Sequence, residues 1–222
     1  MRHRDDLYAH QIFTERAYDG LLVSKGIVDG FGDSSAHYTL PQRHRFLRLG
    51  AKEFLRIRKC DWGSLSIMGD CGAFTYIKEE VPPYTVEEVL EFYTEAQFDF
   101  GISVDHVIPD FQPSWDDIDG PGRAEARRRQ EITLELANAF ITQARTQKVP
   151  FSTLGVAQGY SPKSYARSVA SLQSMGYDYI ALGGMVPMKT HEIIASLHEI
   201  QRVRNPGTRF HLLGVTRIEE IN

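Results

Sequence analysis

The sequence predicts an α/β protein built around a parallel sheet, and three observations lead to this prediction. Short apolar runs recur along the chain, amphipathic helical patterns separate them, and the two kinds of segment alternate about six times. A strand followed by a helix and another strand is the repeating unit of parallel sheets. Hydrophobic residues make up 42% and charged residues 24% of the 222 residues, which is typical of a globular protein.

Six segments have the length and composition of strands. Each is short and apolar, and buried strands of parallel sheets are usually of this kind. In chain order they lie at 21–24, 64–69, 100–104, 152–157, 178–182 and 210–215.

Helical patterns separate the later strands at 85–97, 124–147, 161–175 and 189–203. Thr85 and Glu88 have the spacing of a capping box, in which each side chain bonds to the other residue's backbone. Ser161 is a suitable cap and Pro162 follows it at the first helical position. Residues 106–122 are rich in Pro, Asp and Gly, and we expect a lid or an irregular insertion there.

Polar residues at the strand ends distinguish a barrel from an open sheet. Asp70, Asp105, Gln158 and Gly183 follow four different strands. Barrel enzymes draw functional groups from many strand ends, whereas an open sheet concentrates them at one switch point. A full barrel takes eight strands and about 250 residues. We therefore predict an incomplete (β/α)8 barrel of the TIM type, with about six parallel strands, as a single partial domain over residues 1–222.

Charge is unevenly distributed, although the net charge of −4 indicates no particular partner. Residues 41–59 hold seven Lys or Arg and one acid, and Arg45, Arg48 and Lys52 follow helical spacing. One basic helical face is expected, either as a solvated surface or as a contact for a nucleic-acid backbone. Residues 123–129 add four arginines.

Targeting and metal-binding signals are absent from the sequence. No apolar run is long enough to span a bilayer and the first residues lack an apolar signal core, so no membrane association and a cytoplasmic location are expected. Cys60 and Cys71 have no CxxC partner, which argues against a zinc site or a disulfide framework.

The segment Met68–Ile77, "MGDCGAFTYI", places an acid and a thiol between glycines at a strand end. The carboxylate of Asp70 can accept hydrogen bonds or transfer a proton. Gly69 and Gly72 leave the backbone accessible to a flat ligand, and Phe74 can offer an aromatic face. The same residues are also compatible with a simple turn.

The other strand ends add further hydrogen-bonding groups. Asp105 follows an apolar run, where a carboxylate is costly unless it is hydrogen-bonded. The amide of Gln158 both donates and accepts hydrogen bonds. The pair Gly183 and Gly184 can expose backbone groups to a ligand, but it is also compatible with a tight turn or a phosphate site. For His106 a structural role is favoured. Together these groups suit a planar hydrogen-bonding ligand such as a purine.

Five motifs in order resemble the tRNA-guanine transglycosylase family: "DCGAFT", "VDH", "AQG", "GGM" and "LLGVT". That family has a modified (β/α) barrel and exchanges guanine in nucleic acid for a 7-deazaguanine. The segments "YDGLLVSK", "GDCGAF" and "SVDHVIP" look most like its DNA-modifying branch, which inserts 7-cyano-7-deazaguanine into DNA. The resemblance therefore favours DNA as the nucleic-acid partner and leaves tRNA as the alternative.

The resemblance also implies roles for individual residues. Asp70 would contact the base and relay protons, while Phe74 and Leu213 would pack on its two faces. Asp105 would bind the Watson–Crick edge. Gln158 and the backbone at Gly184 and Met185 would read the exocyclic oxygen and the 7-substituent. The implied base-binding set is Asp70, Cys71, Phe74, Asp105, Gln158, Gly183, Gly184, Met185 and Leu213.

The family's aspartate nucleophile and its Cys/His zinc site would both lie beyond Asn222. Without that carboxylate the chain is expected to bind a base but not to exchange it. It would then be a fragment, a base-recognition part completed by a second polypeptide, or a degenerate subunit. No cofactor or metal is expected in this chain, and zinc only in that later region.

Two other functions stay open at this point. One is a non-catalytic subunit that binds 7-deazaguanine or nucleic acid. The other is an unrelated barrel hydrolase, which would need several histidine ligands at strand ends, where only His106 is well placed.

Overall fold

The computed structural model describes residues 7–31, 38–57 and 65–216. These residues form one six-stranded parallel sheet whose strands follow one another in chain order. The predicted α/β class and parallel sheet are confirmed. Cys60 and the first residue of the second predicted strand, Ser64, lie outside the described residues. The strands are β1 Gly20–Ser24, β2 Ser66–Asp70, β3 Phe100–Ile102, β4 Ser152–Ala157, β5 Tyr179–Leu182 and β6 Arg209–Leu212.

Helices connect the strands at the positions that the sequence patterns indicate. Within the described part of the chain, no helix is both long enough and apolar enough to cross a bilayer. The predicted caps form, since Thr85 accepts from the backbone N–H of Glu88 and Ser161 from that of Ser164. The helices are α1 Ala9–Ile12, α2 Lys25–Asp29, α3 Leu40–Leu49, α4 Ala51–Phe54, α5 Val86–Glu95, α6 Pro121–Gln147, α7 Pro162–Met175 and α8 Thr190–Val203.

The sheet is curled, which makes the fold an incomplete TIM-type barrel, as predicted. Leu22 of the first strand and Leu213, just after the sixth, line the same cavity although they lie at opposite edges of the sheet. The concave face carries a cluster of Ile102, Leu154, Val156 and Ala181, with Met68, Phe100, Tyr179 and Leu213 packed against it. The convex face is covered by the helices, so the central strands are buried on both sides.

The predicted basic face does not form on one helix. Helix α3 ends before Gly50, whose positive φ of 75° changes the chain direction before α4 begins. Lys52 lies on α4 and donates to Oδ1 of Asp99 at 2.7 Å. Because Asp99 directly precedes β3, Lys52 lies at the amino end of the sheet, away from the polar strand ends. Arg45 and Arg48 are exposed on α3, so the prediction that the three residues share one helical face was wrong.

Residues 106–120 form the long irregular connection that the sequence indicates. Its regular part is a 3-10 turn over Pro113–Asp116. Trp115 packs on the ring of Tyr160 with centroids 6.0 Å apart, and the carboxylate of Asp116 lies 3.4 Å from the guanidinium of Arg167 on α7. These contacts attach the connection to the beginning of α7.

Candidate functional site

A cavity of about 290 Å³ opens at the carboxyl ends of the strands. Residues at or just after all six strands contribute to it, as expected for a barrel. Seven of the nine predicted base-binding residues line it, namely Asp70, Phe74, Asp105, Gln158, Gly183, Gly184 and Leu213.

Asp105 supplies the most buried carboxyl group of the cavity. After β3 the chain stays buried, and the hydroxyl of Tyr76 donates to the backbone oxygen of Asp105 at 3.2 Å. Nε2 of Gln158 donates to Oδ2 of Asp105 at 2.7 Å. Burial, reinforced by the nearby negative charge of Asp70, raises the pKa of Asp105 to about 7. The group can therefore be ionised or neutral near physiological pH.

Asp70 is the second carboxyl group, placed where β2 ends. The backbone N–H of Gly72 donates to its Oδ2 at 2.8 Å, in a turn that requires the positive φ of 82° at Gly72. Burial raises the pKa of Asp70 to about 6. Because the negative charge of Asp70 raises the pKa of Asp105, Asp105 can hold a proton while Asp70 is ionised. The cavity can thus both donate and accept a proton.

Gln158 is fixed at its backbone as well as its side chain. Its backbone oxygen accepts from Nε2 of Gln130 and from Oγ of Ser168, both at 2.8 Å. Since Gln130 lies on α6 and Ser168 on α7, two helices hold the end of β4. The sequence prediction missed these supporting residues, because a buried glutamine on a helix carries no recognisable motif.

The glycine pair after β5 makes room for the amide of Gln158. A Cβ at Gly183 would collide with Nε2 of Gln158, and one at Gly184 would lie 2.8 Å from its Oε1. Gly184 also has a positive φ of 73°, and the hydroxyl of Tyr165 donates to the carbonyl of Gly183 at 2.7 Å. The pair therefore serves packing around Gln158, and both backbone groups of Gly183 are hydrogen-bonded within the fold, since its N–H donates to the carbonyl of Ala157.

Apolar side chains form the walls of the cavity. Phe74, on the 3-10 turn Ala73–Tyr76, is 53% exposed at the rim, and Leu213 is half-buried. Ser24 at the end of β1 also lines the cavity, and its Oγ is buried without a hydrogen-bond partner among the described residues. The strand-end rule that identified the other residues applies equally to Ser24, which the sequence analysis did not select.

Cys71 and Met185 do not line the cavity, contrary to their place in the predicted set. Cys71 follows Asp70 directly, and successive residues of an extended chain face opposite sides. Its fully buried Sγ lies 3.4 Å from the hydroxyl of Tyr93, and burial raises the pKa of this thiol. Met185 is fully buried in the core with residues of α7 and α8 such as Val169.

His106 has the structural role that the sequence favoured. It is buried, and its Nε2 lies 3.0 Å from the backbone oxygen of Glu79. Burial and the neighbouring guanidinium of Arg129 lower the pKa of His106. Across the described ranges, no group of three or more His, Cys, Asp or Glu side chains is arranged to hold a metal ion.

Comparison with known proteins gives one informative match. The chain is 47% identical over 219 residues, 99% of its length, to a DNA-guanine transglycosylase from Salmonella montevideo. The match covers 51% of that protein, so the chain spans about half the length of the curated relative it matches. No family model matches the chain.

Proposed function

We propose, from the five motifs that resemble the tRNA-guanine transglycosylase family and from the match to the Salmonella protein, that the chain supplies the base-recognition pocket of a guanine transglycosylase. The reaction is the exchange of guanine in a nucleic acid for a 7-deazaguanine base. The name of the Salmonella relative favours DNA over tRNA as the substrate. The observation that carries the proposal is the convergence of two carboxyl groups and an amide on one apolar cavity at the strand ends.

The groups of the cavity match those of a guanine base. Ionised Asp105 accepts hydrogen bonds from the base N–H groups of the Watson–Crick edge, and Gln158 with the backbone at Gly184 contacts the exocyclic oxygen and the 7-position. Phe74 and Leu213 lie against the two faces of the ring. A base in duplex DNA must leave the stack to reach such a pocket.

Asp70 is assigned the proton transfer that base exchange requires. The departing guanine must gain a proton and the incoming base must lose one, and a carboxyl group with a pKa of about 6 can do both near neutral pH. Exchange also breaks the bond between the base and the sugar C1′. The carboxylate that would hold C1′ in the meantime is not assigned to any described residue.

Binding of a free base by the chain tests the recognition role. Equilibrium dialysis with labelled guanine and with 7-cyano-7-deazaguanine should show binding at pH 8, and Asp105→Asn should weaken it by about 30- to 100-fold through loss of a charged hydrogen-bond acceptor. The control is Asp178→Asn, which changes an exposed aspartate at the amino end of β5 and should have no effect. Equal affinities for the two variants would contradict the proposal.

A non-catalytic subunit that binds 7-deazaguanine or nucleic acid is the second candidate, favoured by the partial coverage of the relative. A chimera in which this chain replaces the matched 51% of the Salmonella relative separates the two. Incorporation of labelled guanine into DNA by the chimera, lost with Asp70→Asn, would support the transglycosylase role. Base binding by the chain without incorporation by the chimera would support the non-catalytic role.

A further inference from the structure

We infer that two polar residues of α6, Gln130 and Thr133, are positioning residues for the base-binding cavity. They hold the ends of β3 and β4 at the separation at which the side chains of Asp105 and Gln158 meet. The inference rests on the proposed function, because it concerns how the same cavity binds a base.

The two strands are no longer paired at the point where the cavity needs them to be aligned. Their ladder ends with Ile102 opposite Leu154. Just beyond it, Ser103 bonds to β4 through its backbone N–H and its hydroxyl, at 2.9 and 3.1 Å. Asp105 and Gln158 lie three and four residues past the last ladder pair. Ladder bonds therefore do not set the distance between these two side chains.

Thr133 fixes the chain directly after Asp105. Its Oγ1 accepts from the backbone N–H of His106 at 2.9 Å and donates to the backbone oxygen of Arg129, one turn earlier on α6, also at 2.9 Å. Thr133 and His106 are both fully buried. Without the hydroxyl, the N–H of His106 would be buried without a partner, which is costly.

Gln130 fixes the end of β4 in the same way. Its Nε2 donates to the backbone oxygen of Gln158 at 2.8 Å and to that of Ser164, in the first turn of α7, at 3.1 Å. The side chain is only 9% exposed, and a buried amide is favourable only where its hydrogen bonds are made. The hydroxyl of Ser168 on α7 donates to the same oxygen of Gln158 and supports this contact.

The position of the two residues explains how one helix can hold both strands. Gln130 and Thr133 are three residues apart and so lie on the same face of α6. The other buried residues of that helix are apolar, namely Ala126, Ala137, Phe140, Ile141 and Ala144. Packing a helix on a sheet requires only apolar side chains, so the two polar ones indicate a role in holding the strand ends.

A change in the separation of the strand ends would act on Asp105 through Gln158. Nε2 of Gln158 donates to Oδ2 of Asp105 at 2.7 Å, and this bond lowers a pKa that burial and the charge of Asp70 raise to about 7. Loss of the bond should raise the pKa by about one further unit. The ionised fraction of Asp105 at pH 7 would then fall from about one half to about one tenth.

Other titratable groups near Asp105 keep their charge state between pH 7 and pH 8.5. These groups come from the end of β2, the turn after it, the connection after β3 and α6: Asp70, Cys71, Tyr76, His106 and Arg129. Burial raises the pKa of Cys71 and of Tyr76 and lowers that of His106, so all three are neutral there. Asp70, with a pKa of about 6, is ionised. A pH profile over this range therefore reports on Asp105.

Equilibrium dialysis with labelled guanine at pH 7 and pH 8.5 tests the inference. Thr133→Val removes the hydroxyl at nearly constant volume. Binding should weaken about fivefold at pH 7 but less than about twofold at pH 8.5, where Asp105 is mostly ionised in both proteins. Thr133→Ser keeps the hydroxyl and should retain the wild-type profile. Thr146→Val is the matched control, because it removes only the bond from Thr146 to the backbone oxygen of Thr142 at an exposed position of α6.

A second pair of variants examines the contact to β4. Gln130→Met should shift the profile in the same direction as Thr133→Val, because the end of β4 loses its bond to α6. Gln143→Met is its control, since the amide of Gln143 donates to the carboxylate of Glu87 at the surface, at 2.8 Å. If one of the two buried variants does not fold, the other still tests the inference.

The pKa of Asp105 can also be measured without a base, by NMR of its carboxyl carbon in the free chain, with Asp105→Asn to assign the signal. It should rise by about one unit in Thr133→Val and in Gln130→Met. An unchanged pKa in both variants, or an equal loss of binding at the two pH values, would overturn the inference. If the wild-type chain binds no base, the proposed function fails, whereas the NMR titration still decides the positioning role.

Discussion

At the scale of single residues, the carboxyl group of Asp105 is where binding and stability conflict. Its side chain is 2% exposed and its pKa is raised to about 7, so the folded protein binds a proton more tightly than the unfolded chain does. Stability from this group is present at acidic pH and is lost as pH rises through about 7. An ionised Asp105 is therefore useful for a base and costly for the fold.

Asp105→Asn should stabilise the protein, and more at pH 8 than at pH 5. The amide avoids burying a negative charge, and we expect a gain of about 1–3 kcal/mol in the free energy of unfolding at pH 8. Urea unfolding at the two pH values measures it. A loss of stability at pH 8 would contradict the raised pKa.

Base affinity should depend on pH in the opposite sense. Ionised Asp105 is the acceptor, so affinity for guanine should fall as pH drops below about 7, approaching tenfold per pH unit. Isothermal titration calorimetry between pH 5 and 8.5 measures this. The Asp105→Asn variant should show a flatter profile, and an equally steep one would assign the dependence to another group, such as Asp70.

Residue roles could be predicted from sequence wherever a strand end fixes the direction of a side chain. Asp70, Asp105 and Gln158 meet because parallel strands end at one edge of a sheet. Cys71 could not be placed correctly from motif membership, since its side chain turns into the core, whereas the role expected of Met185 concerns its backbone. Successive side chains of an extended chain point to opposite faces, and for this reason Asp70 faces the cavity whereas Cys71 faces the core.

At the scale of elements, glycines within the strands set how closely the helices approach the sheet. The ring of Tyr93 on α5 lies against Gly69 and Gly101, and the ring of Phe151 lies beside it over Gly101. A Cβ at Gly101 would lie 2.6 Å from ring atoms of both Tyr93 and Phe151. Tyr93 in turn donates to the backbone oxygen of Ile102 at 2.9 Å, which ties the helix to the strand that leads to Asp105.

Gly101→Ala should therefore destabilise the protein by about 2 kcal/mol or more, through overpacking of two rings. Gly120→Ala is the control, because its φ of 177° suits any residue and nothing lies within 4 Å of the added Cβ. Thermal unfolding of both variants measures the difference. Equal midpoints would mean that α5 moves away from the sheet without cost.

Helices and strands could be predicted from periodicity and capping residues, whereas a break in a helix could not be located. The spacing of Arg45, Arg48 and Lys52 fits one helix, but Gly50 divides it. A glycine within a helical pattern is compatible with a continuous helix or with its end. The helix ends here because Gly50 has a positive φ and the backbone N–H of Ala51 donates to the carbonyl of Ala96. Neither feature can be recognised in the sequence.

At the scale of the whole molecule, charge argues against strong DNA binding by this chain alone. The 29 acidic residues outnumber the 25 Lys and Arg, and several of the clustered arginines are engaged in ion pairs. Arg128 and Arg129 both bind Glu125, whereas Arg127 is exposed and has no ion pair within the described ranges. These ion pairs reduce the number of positive groups that are available to phosphates.

The salt dependence of DNA binding should accordingly be shallow. Each phosphate contact contributes about −0.9 to the slope of log affinity against log salt, and we expect a slope no steeper than about −3 for the chain alone. Arg127→Gln should reduce it by about one contact, and the matched variant Arg128→Gln should leave it unchanged because that guanidinium already binds Glu125. Fluorescence anisotropy of a labelled duplex between 50 and 300 mM salt, roughly the range over which such slopes are measured, gives both values. A slope of about −6 or steeper would contradict this expectation and would mean that the chain alone makes many contacts to the DNA backbone.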